Sequence, residues 1–210
     1  MKVLNLYAGI GGNRKLWEDV EVTAVEIDPE IAEIYQDFFP DDTVIITDAH
    51  QYLLDHFKEY DFIWASPPCP SHSVTNHFLK GKGVTRYPDM KLYQEIIFLS
   101  TFYHGLFCVE NVVSYYEPLI KPAHIDRHYF WANYHIKSKI IKNETALENQ
   151  SIKTLQKQHG FNLDKYQMGS YKKRQILRNC VYPPLGKHVF KCARDTQPLT
   201  LIDYVEVKQP

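Results

Sequence analysis

The sequence predicts an α/β fold, doubly wound about a largely parallel sheet. Two observations predict it. Short apolar or β-branched runs recur at Val3 to Tyr7, Val22 to Glu26, Thr43 to Thr47, Phe62 to Ala65 and Leu106 to Glu110. Helix-compatible stretches separate several of these runs, and such alternation is what parallel strands require, since each must be reached by a crossover.

Taken in order, the first strand runs into Gly9-Ile10-Gly11-Gly12, and residues 13 to 18 are expected to form the first crossover helix. The second strand ends in Glu26 and is followed by a helix over 29 to 38; the third ends just before Asp48 and is followed by a helix over 49 to 58. The fourth enters a proline-rich loop, and a helix over 89 to 103, with Leu92, Ile96 and Leu99 at helical spacing, leads to the fifth.

Beyond Tyr134 the pattern changes, because Lys, Asn and Gln dominate up to Lys173. One helix is expected near Ile152 to Gln158, ending before Gly160. Apolar content returns from Leu177, with Pro183-Pro184 ahead of a helix at Leu185 to Ala193. The expected organisation is a body over 1–133, a short basic insertion over 134–174 and a C-terminal segment over 175–210 that rejoins the body.

A chain of 210 residues suits one domain with a small insertion, which excludes a multi-domain machine. Apolar runs fall well short of the roughly 20 residues of a membrane span, and the N-terminus enters a strand rather than a secretory leader. A cytoplasmic protein without a membrane partner is expected. Cys69, Cys108, Cys180 and Cys192 form no CxxC pair, so neither a metal site nor a disulfide framework is expected.

Net charge is −1, but it is unevenly spread: residues 134–174 hold nine Lys/Arg and three Asp/Glu, whereas residues 1–133 hold ten and nineteen. A polyanion could dock on the basic segment.

Strand, glycine turn, helix and a carboxylate at the tip of the second strand form the layout of a nucleoside-binding site. Glycine lets the backbone approach the ligand, and Glu26 can accept both ribose hydroxyls. Asp48 adds an acceptor where an adenine amino group would lie, although a strand-end Asp is also a common helix cap. Ser66-Pro67-Pro68-Cys69-Pro70-Ser71-His72-Ser73 sets one thiol in a loop that proline stiffens on both sides, which suits a nucleophile held in place. Phe107-Cys108-Val109-Glu110-Asn111-Val112 delivers a carboxylate at a strand's C-terminal edge, where burial raises the pKa of a carboxyl and makes it a proton donor.

These segments resemble the DNA (cytosine-5) methyltransferase family, and in its motif order. Leu6-Tyr7-Ala8-Gly9-Ile10-Gly11-Gly12 is similar to the cofactor motif, Glu26-Ile27-Asp28 and Asp48 to the next two, and Pro67-Pro68-Cys69 with Ser73 to the nucleophile motif. Pro88-Asp89 through Leu92 and Glu95 resembles the helix after it, Glu110-Asn111-Val112 the Glu-Asn-Val motif, and Arg127-His128-Tyr129-Phe130 an Arg-containing strand. Asn179-Cys180-Val181 with Pro183 and Leu185-Gly186 is similar to the last motif. The chain departs from the pattern at Asn5, at Pro70 where Gln is usual, at Arg178 and in the Gln-x-Arg-x-Arg element, which is reduced to Arg127 followed by His128.

The resemblance implies a Rossmann-like S-adenosylmethionine-dependent methyltransferase sheet and methyl transfer to carbon 5 of cytosine in DNA. Cys69 would add to carbon 6, Glu110 would assist at N3, and Arg127 or the loop amides would favour the thiolate. The cofactor would lie on Tyr7, Ala8, Gly9, Gly11, Gly12, Glu26, Ile27, Asp48, Pro68, Asn179 and Val181. A target base in duplex would have to be flipped out. The interval before the last motif is short and basic, so Lys172, Lys173 and Arg174, with Ser73, are expected to grip DNA beside a stacking Tyr171 or His159. This implies short or relaxed sequence specificity, completed by a partner subunit; the family resemblance also associates the chain with restriction-modification, with or without a restriction partner. The same chemistry on RNA or a free pyrimidine nucleotide, a catalytically silent DNA-binding subunit and an exocyclic-amine methyltransferase remain alternatives.

Overall fold

The structure, a computed structural model, describes residues 1–74, 76–77, 81, 83, 86–138 and 150–196. Its centre is a seven-stranded sheet in the order β3-β2-β1-β4-β5-β7-β6. The strands are β1 (Lys2–Leu6), β2 (Glu21–Glu26), β3 (Thr43–Ile46), β4 (Phe62–Ala65), β5 (Leu106–Val112), β6 (Ala123–Ile125) and β7 (His128–Ala132). β1 to β5 are mutually parallel, whereas β7 runs antiparallel to β5 and β6 antiparallel to β7. Strand order reverses at β1, between β2 and β4, so the ligand crevice of a doubly wound sheet is expected at the C-terminal ends there.

The sheet is apolar on both faces, as its fully buried β4 (Phe-Ile-Trp-Ala) illustrates. One face packs on α2 (Ala49–His56) and α3 (Lys91–Phe102), through Leu53, Leu92, Ile96 and Leu99 against Leu4, Leu6, Ile63 and Val109. The other meets α6 (Pro183–Arg194), whose Leu185, Val189 and Phe190 join Trp17, Phe62 and Trp64 in one buried cluster.

The helix expected over 13 to 18 is a single 3-10 turn, Arg14–Leu16. Trp17 ends it by turning its indole inward, where it stacks on Phe190 with ring centroids 4.7 Å apart and donates to the Gly186 carbonyl at 3.3 Å. A Cβ at Gly186 would come within 2.5 Å of the Asn13 carbonyl, so glycine is what lets α6 fill the layer that the short turn leaves open.

α1 (Pro29–Phe38) is capped by Asp28, which accepts from the amides of Glu30 and Ile31. α4 (Ile152–His159) is capped by Ser151 and ends on Gly160 with φ 68, as the sequence predicts. α5 (Ser170–Asn179) is a helix that the sequence pattern does not announce, because its buried apolar residues are only Ile176 and Leu177. Leu155, Phe161, Leu163, Ile176 and Leu177 join Ile10 and Ile34 in one cluster, so much of the basic segment packs on α1 and the glycine turn. Lys15 fastens it further, donating to the Gly160 carbonyl at 2.6 Å while lying 3.9 Å from the Phe161 ring centroid. Parts of the expected insertion and C-terminal segment, 139–149 and 197–210, lie outside the described residues. Among the described residues no helix is long and apolar enough to cross a membrane.

Candidate active site

Two glycines allow the first turn its shape. Gly9 takes φ +54, and a Cβ built there meets nothing within 4 Å, which leaves open space above the backbone. Gly12 is closed instead: a Cβ would lie 2.6 Å from the Val181 carbonyl and 2.9 Å from Cys180 Cβ. That close approach joins the first motif to the last, with Val181 buried and Asn179 exposed beside it.

Glu26, 9% exposed, accepts the Gly9 amide on Oε2 at 2.9 Å and the Asp28 amide on Oε1 at 3.0 Å. Its carboxylate is therefore held at the tip of β2 by backbone amides, and each oxygen keeps a lone pair for a ligand hydroxyl. Ile27 beside it is 65% exposed, an apolar side chain facing water, and Asp48 lies exposed at the tip of β3. Asp48 also caps α2, accepting from Gln51 N at 2.8 Å. Open backbone at Gly9, an oriented carboxylate, an uncovered apolar side chain and a second acceptor fit the adenosine half of S-adenosylmethionine.

Tyr7 leaves β1 with φ 55, in left-handed backbone, while Ala8 is buried behind it. The Tyr7 hydroxyl donates to Glu95 Oε1, and His50 Nδ1 lies 3.4 Å from the same oxygen. Glu95 is fully buried and its Oε2 has no hydrogen-bond partner. Burial pushes its carboxyl up to about 7, against the opposing effect of the Tyr7 hydrogen bond and with a further push from Asp48.

The proline loop is stitched to the end of β5. Asn111 Nδ2 donates to the Pro67 carbonyl at 3.0 Å, in a buried position. Farther along, Val74 N donates to the Val113 carbonyl and Tyr115 N to the His72 carbonyl, both at 3.0 Å, while Ser73 and Ser114 form a β-bridge. His72 and Ser73 amides both return to the Cys69 carbonyl, closing a tight turn behind the thiol. His72, only 1% exposed, anchors this turn with a 2.5 Å contact from Nδ1 to the Tyr116 hydroxyl.

Pro68 is exposed and Cys69 half-buried, so the residue is not sealed in the core. Burial pushes it up to about 11, and the charge of Glu110 pushes the same way; a hydrogen bond from its own backbone amide pulls it down. Glu110 is thus near enough to be felt at the sulfur. Arg127 sits in the β6–β7 turn, with its Nε 3.8 Å from Asp126 Oδ2.

Glu110 itself is 6% exposed and meets His128 Nδ1 at 2.6 Å. His159, which the sequence offers for stacking, is 4% exposed and closes on Tyr182, while Tyr171 is 82% exposed. Burial holds the His159 imidazole down to about 4, helped by the charges of Arg127 and His128. Of the basic cluster, Lys172 bonds Asp28 Oδ2 at 3.0 Å and Glu30 Oε2 at 2.5 Å, at the N-terminus of α1; Lys173 and Arg174 are half-buried. Sequence reasoning assigns no role to Asn111, His72, His128 or the Glu95 carboxyl. Asn111 and His128 stand inside recognisable motifs, which is the signal available for them.

The family model for C-5 cytosine-specific DNA methylases matches residues 1–117. The chain belongs to this family. It is accordingly a methyltransferase, of a family whose methyl donor is S-adenosylmethionine. The matched span takes in β1 to β5, the proline loop and Glu110. No curated protein matches. Among solved structures, the Entamoeba histolytica methyltransferase EhMeth is similar at 12% identity and a TM-score of 0.61, covering 93% of this chain and 98% of that one, a likeness of fold. A Spodoptera frugiperda DNMT2 mutant is 25% identical over 53% of this chain and 35% of its own, with a TM-score of 0.38. Among the described residues no group of three or more His, Cys, Asp or Glu side chains is placed to hold a metal ion.

Proposed function

We propose that the chain methylates carbon 5 of cytosine in DNA through a covalent adduct between Cys69 and carbon 6. The observation that carries this reading is the stitching of the Cys69 loop to the end of β5 by Asn111, which keeps a thiol and the Glu110 carboxyl within electrostatic reach of each other. A thiol and an acid on adjoining strands are what a pyrimidine needs to be attacked at carbon 6 while N3 gains a proton.

In this reading Tyr7, Ala8, Gly9, Gly11, Gly12, Glu26, Ile27, Asp48, Pro68, Asn179 and Val181 hold S-adenosylmethionine, which when bound supplies an electrophilic methyl group. Cys69 adds to carbon 6 as a thiolate, and Glu110 gives a proton to N3, drawing ring electron density away from the attacked bond. Burial opposes the thiolate, as does negative charge on Glu110; a protonated Glu110 therefore assists both at N3 and at the sulfur. Carbon 5, made electron-rich by the addition, would accept the methyl group that the bound cofactor supplies; its proton would then leave to solvent water, the C5–H pair re-forming C5=C6 and the S–C6 pair returning to Cys69.

The base must leave the stack to reach this site, at a cost of roughly a few kcal/mol. Lys173, Arg174 and Ser73 are proposed to hold DNA, with Arg127 near the site's edge. Lys172 already serves Asp28 and Glu30, so it would contact phosphate only by exchanging partners. Because the interval is short and its Leu155, Phe161, Leu163, Ile176 and Leu177 are committed to packing on the body, short sequence specificity, supplemented by a separate specificity subunit, is the expected outcome. Bisulfite sequencing of DNA from cells expressing the chain, beside Cys69→Ala, tests this: protected cytosines should depend on Cys69. Transfer in vitro to RNA or dCMP but not to duplex DNA would instead reassign the substrate.

A further inference from the structure

Glu110 does not stand alone at the end of β5. His128 opens β7 opposite Val112, and Phe130 lies opposite Glu110, so His128 leaves the same sheet face one diagonal step away. The hairpin that presents it turns through Asp126-Arg127, with Asp126 at φ 55, and is tied back by the Val113 amide donating to the Arg127 carbonyl at 3.1 Å. Backbone geometry thus sets the contact between His128 Nδ1 and Glu110 Oε1, 2.6 Å long, with the residues 9% and 6% exposed. So short a contact needs a proton on the line between the two atoms. The titratable groups that feel this pair are Cys69 on the proline loop, Cys108 on β5 and His159 on α4, with the Arg127 charge close by.

We propose that His128 is the positioning residue that stores the proton Glu110 delivers to N3, an inference that rests on the function proposed above. As the S–C6 bond forms, the C5=C6 π pair shifts toward N3. The shared proton then passes through the carboxyl: its O–H bond breaks, an N3–H bond forms, and neutral imidazole is left beside carboxylate. When Cys69 departs, the S–C6 electron pair returns to sulfur and the N3 proton returns through Glu110 to the pair. An arginine in place of His128 would keep its own proton and hold Glu110 as a carboxylate, whereas imidazole can give one up near neutral pH. The stored proton also screens Cys69 from the Glu110 charge that opposes its ionisation.

The test is the pH dependence of adduct formation between the full chain and a duplex oligonucleotide carrying 5-fluorocytosine, with S-adenosylmethionine present. Adduct formation should lose its proton supply as pH rises through the pair's apparent midpoint. His128→Gln retains a hydrogen bond but stores no proton, so that midpoint should move acidward by about one pH unit, and the deficit should grow about tenfold from pH 6 to pH 8. An equal loss at every pH, with the midpoint unmoved, would mean His128 is only structural and overturns the proposal. A second readout needs no His128 variant: in histidine-labelled protein, the NMR titration of His128 should move acidward in Glu110→Gln, and an unmoved titration is contrary. Absence of any wild-type adduct at every pH overturns the cytosine reading and this proposal together; an adduct whose profile ignores His128→Gln overturns this proposal alone.

Discussion

Replacing Glu95 by glutamine should abolish a specific pH dependence of stability. The Glu95 carboxyl is fully buried on α3, accepts the Tyr7 hydroxyl and leaves Oε2 unpaired, so its charged form is costly. Its pKa is raised from 4.5 to about 7 in the fold. Between those values the folded chain holds a proton that the unfolded chain has lost, so this group's stabilising contribution declines as pH rises and is spent above about pH 7. At 1.36 kcal/mol per pH unit, the loss between pH 5 and pH 8 is about 2.5 kcal/mol. Glutamine keeps an oxygen for the Tyr7 hydroxyl but does not titrate. Urea unfolding of both proteins at pH 5 and pH 8 should therefore show Glu95→Gln gaining about 2.5 kcal/mol relative to wild type at the higher pH. A constant difference across that range would refute a buried acid titrating near neutrality.

Asn111→Ala removes the buried bond to the Pro67 carbonyl; it should cost about 1–3 kcal/mol in denaturant melts and slow methylation on the order of 100-fold by misplacing Cys69, and a rate within about threefold of wild type would contradict that. Gly12→Ala drives a Cβ to 2.6 Å from the Val181 carbonyl, so thermal melts should show a loss of about 1–3 kcal/mol and calorimetry weakened S-adenosylmethionine binding. Because the Cys69 thiol is pushed up to about 11, its alkylation by iodoacetamide should climb roughly tenfold per pH unit from pH 7 to pH 10. A plateau setting in above about pH 9 would show an ordinary thiol, and Glu110→Gln should raise the rate at pH 8 by removing the second cause of the shift.

The parallel part of the fold is legible because each of its strands is a short apolar run ended by a turn or a cap, as Glu26 and Asp48 mark for β2 and β3. The 3-10 turn after β1 is not, since what ends it is Trp17 packing on Phe190, far along the chain. α5 escapes for a related reason: its two buried apolar residues acquire meaning only against Ile10 and Ile34. At the site, the order of motifs points to Cys69 and Glu110 before any geometry does. Pairing is the hidden part. His128 reaches Glu110 only because an antiparallel hairpin folds back on β5, and Lys172, which the sequence offers as a free cation, finds two carboxylates at the start of α1.

All of the proposed chemistry turns on a bond between the sulfur of Cys69 and the pyrimidine. Mass spectrometry of proteolysed protein after incubation with S-adenosylmethionine and a 5-fluorocytosine duplex addresses it directly. A nucleotide-bearing peptide modified at Cys69, absent from Cys69→Ala, is the expected result. Methylation of unsubstituted DNA by Cys69→Ala at the wild-type rate, or a label on Cys108, Cys180 or Cys192 instead, would contradict it.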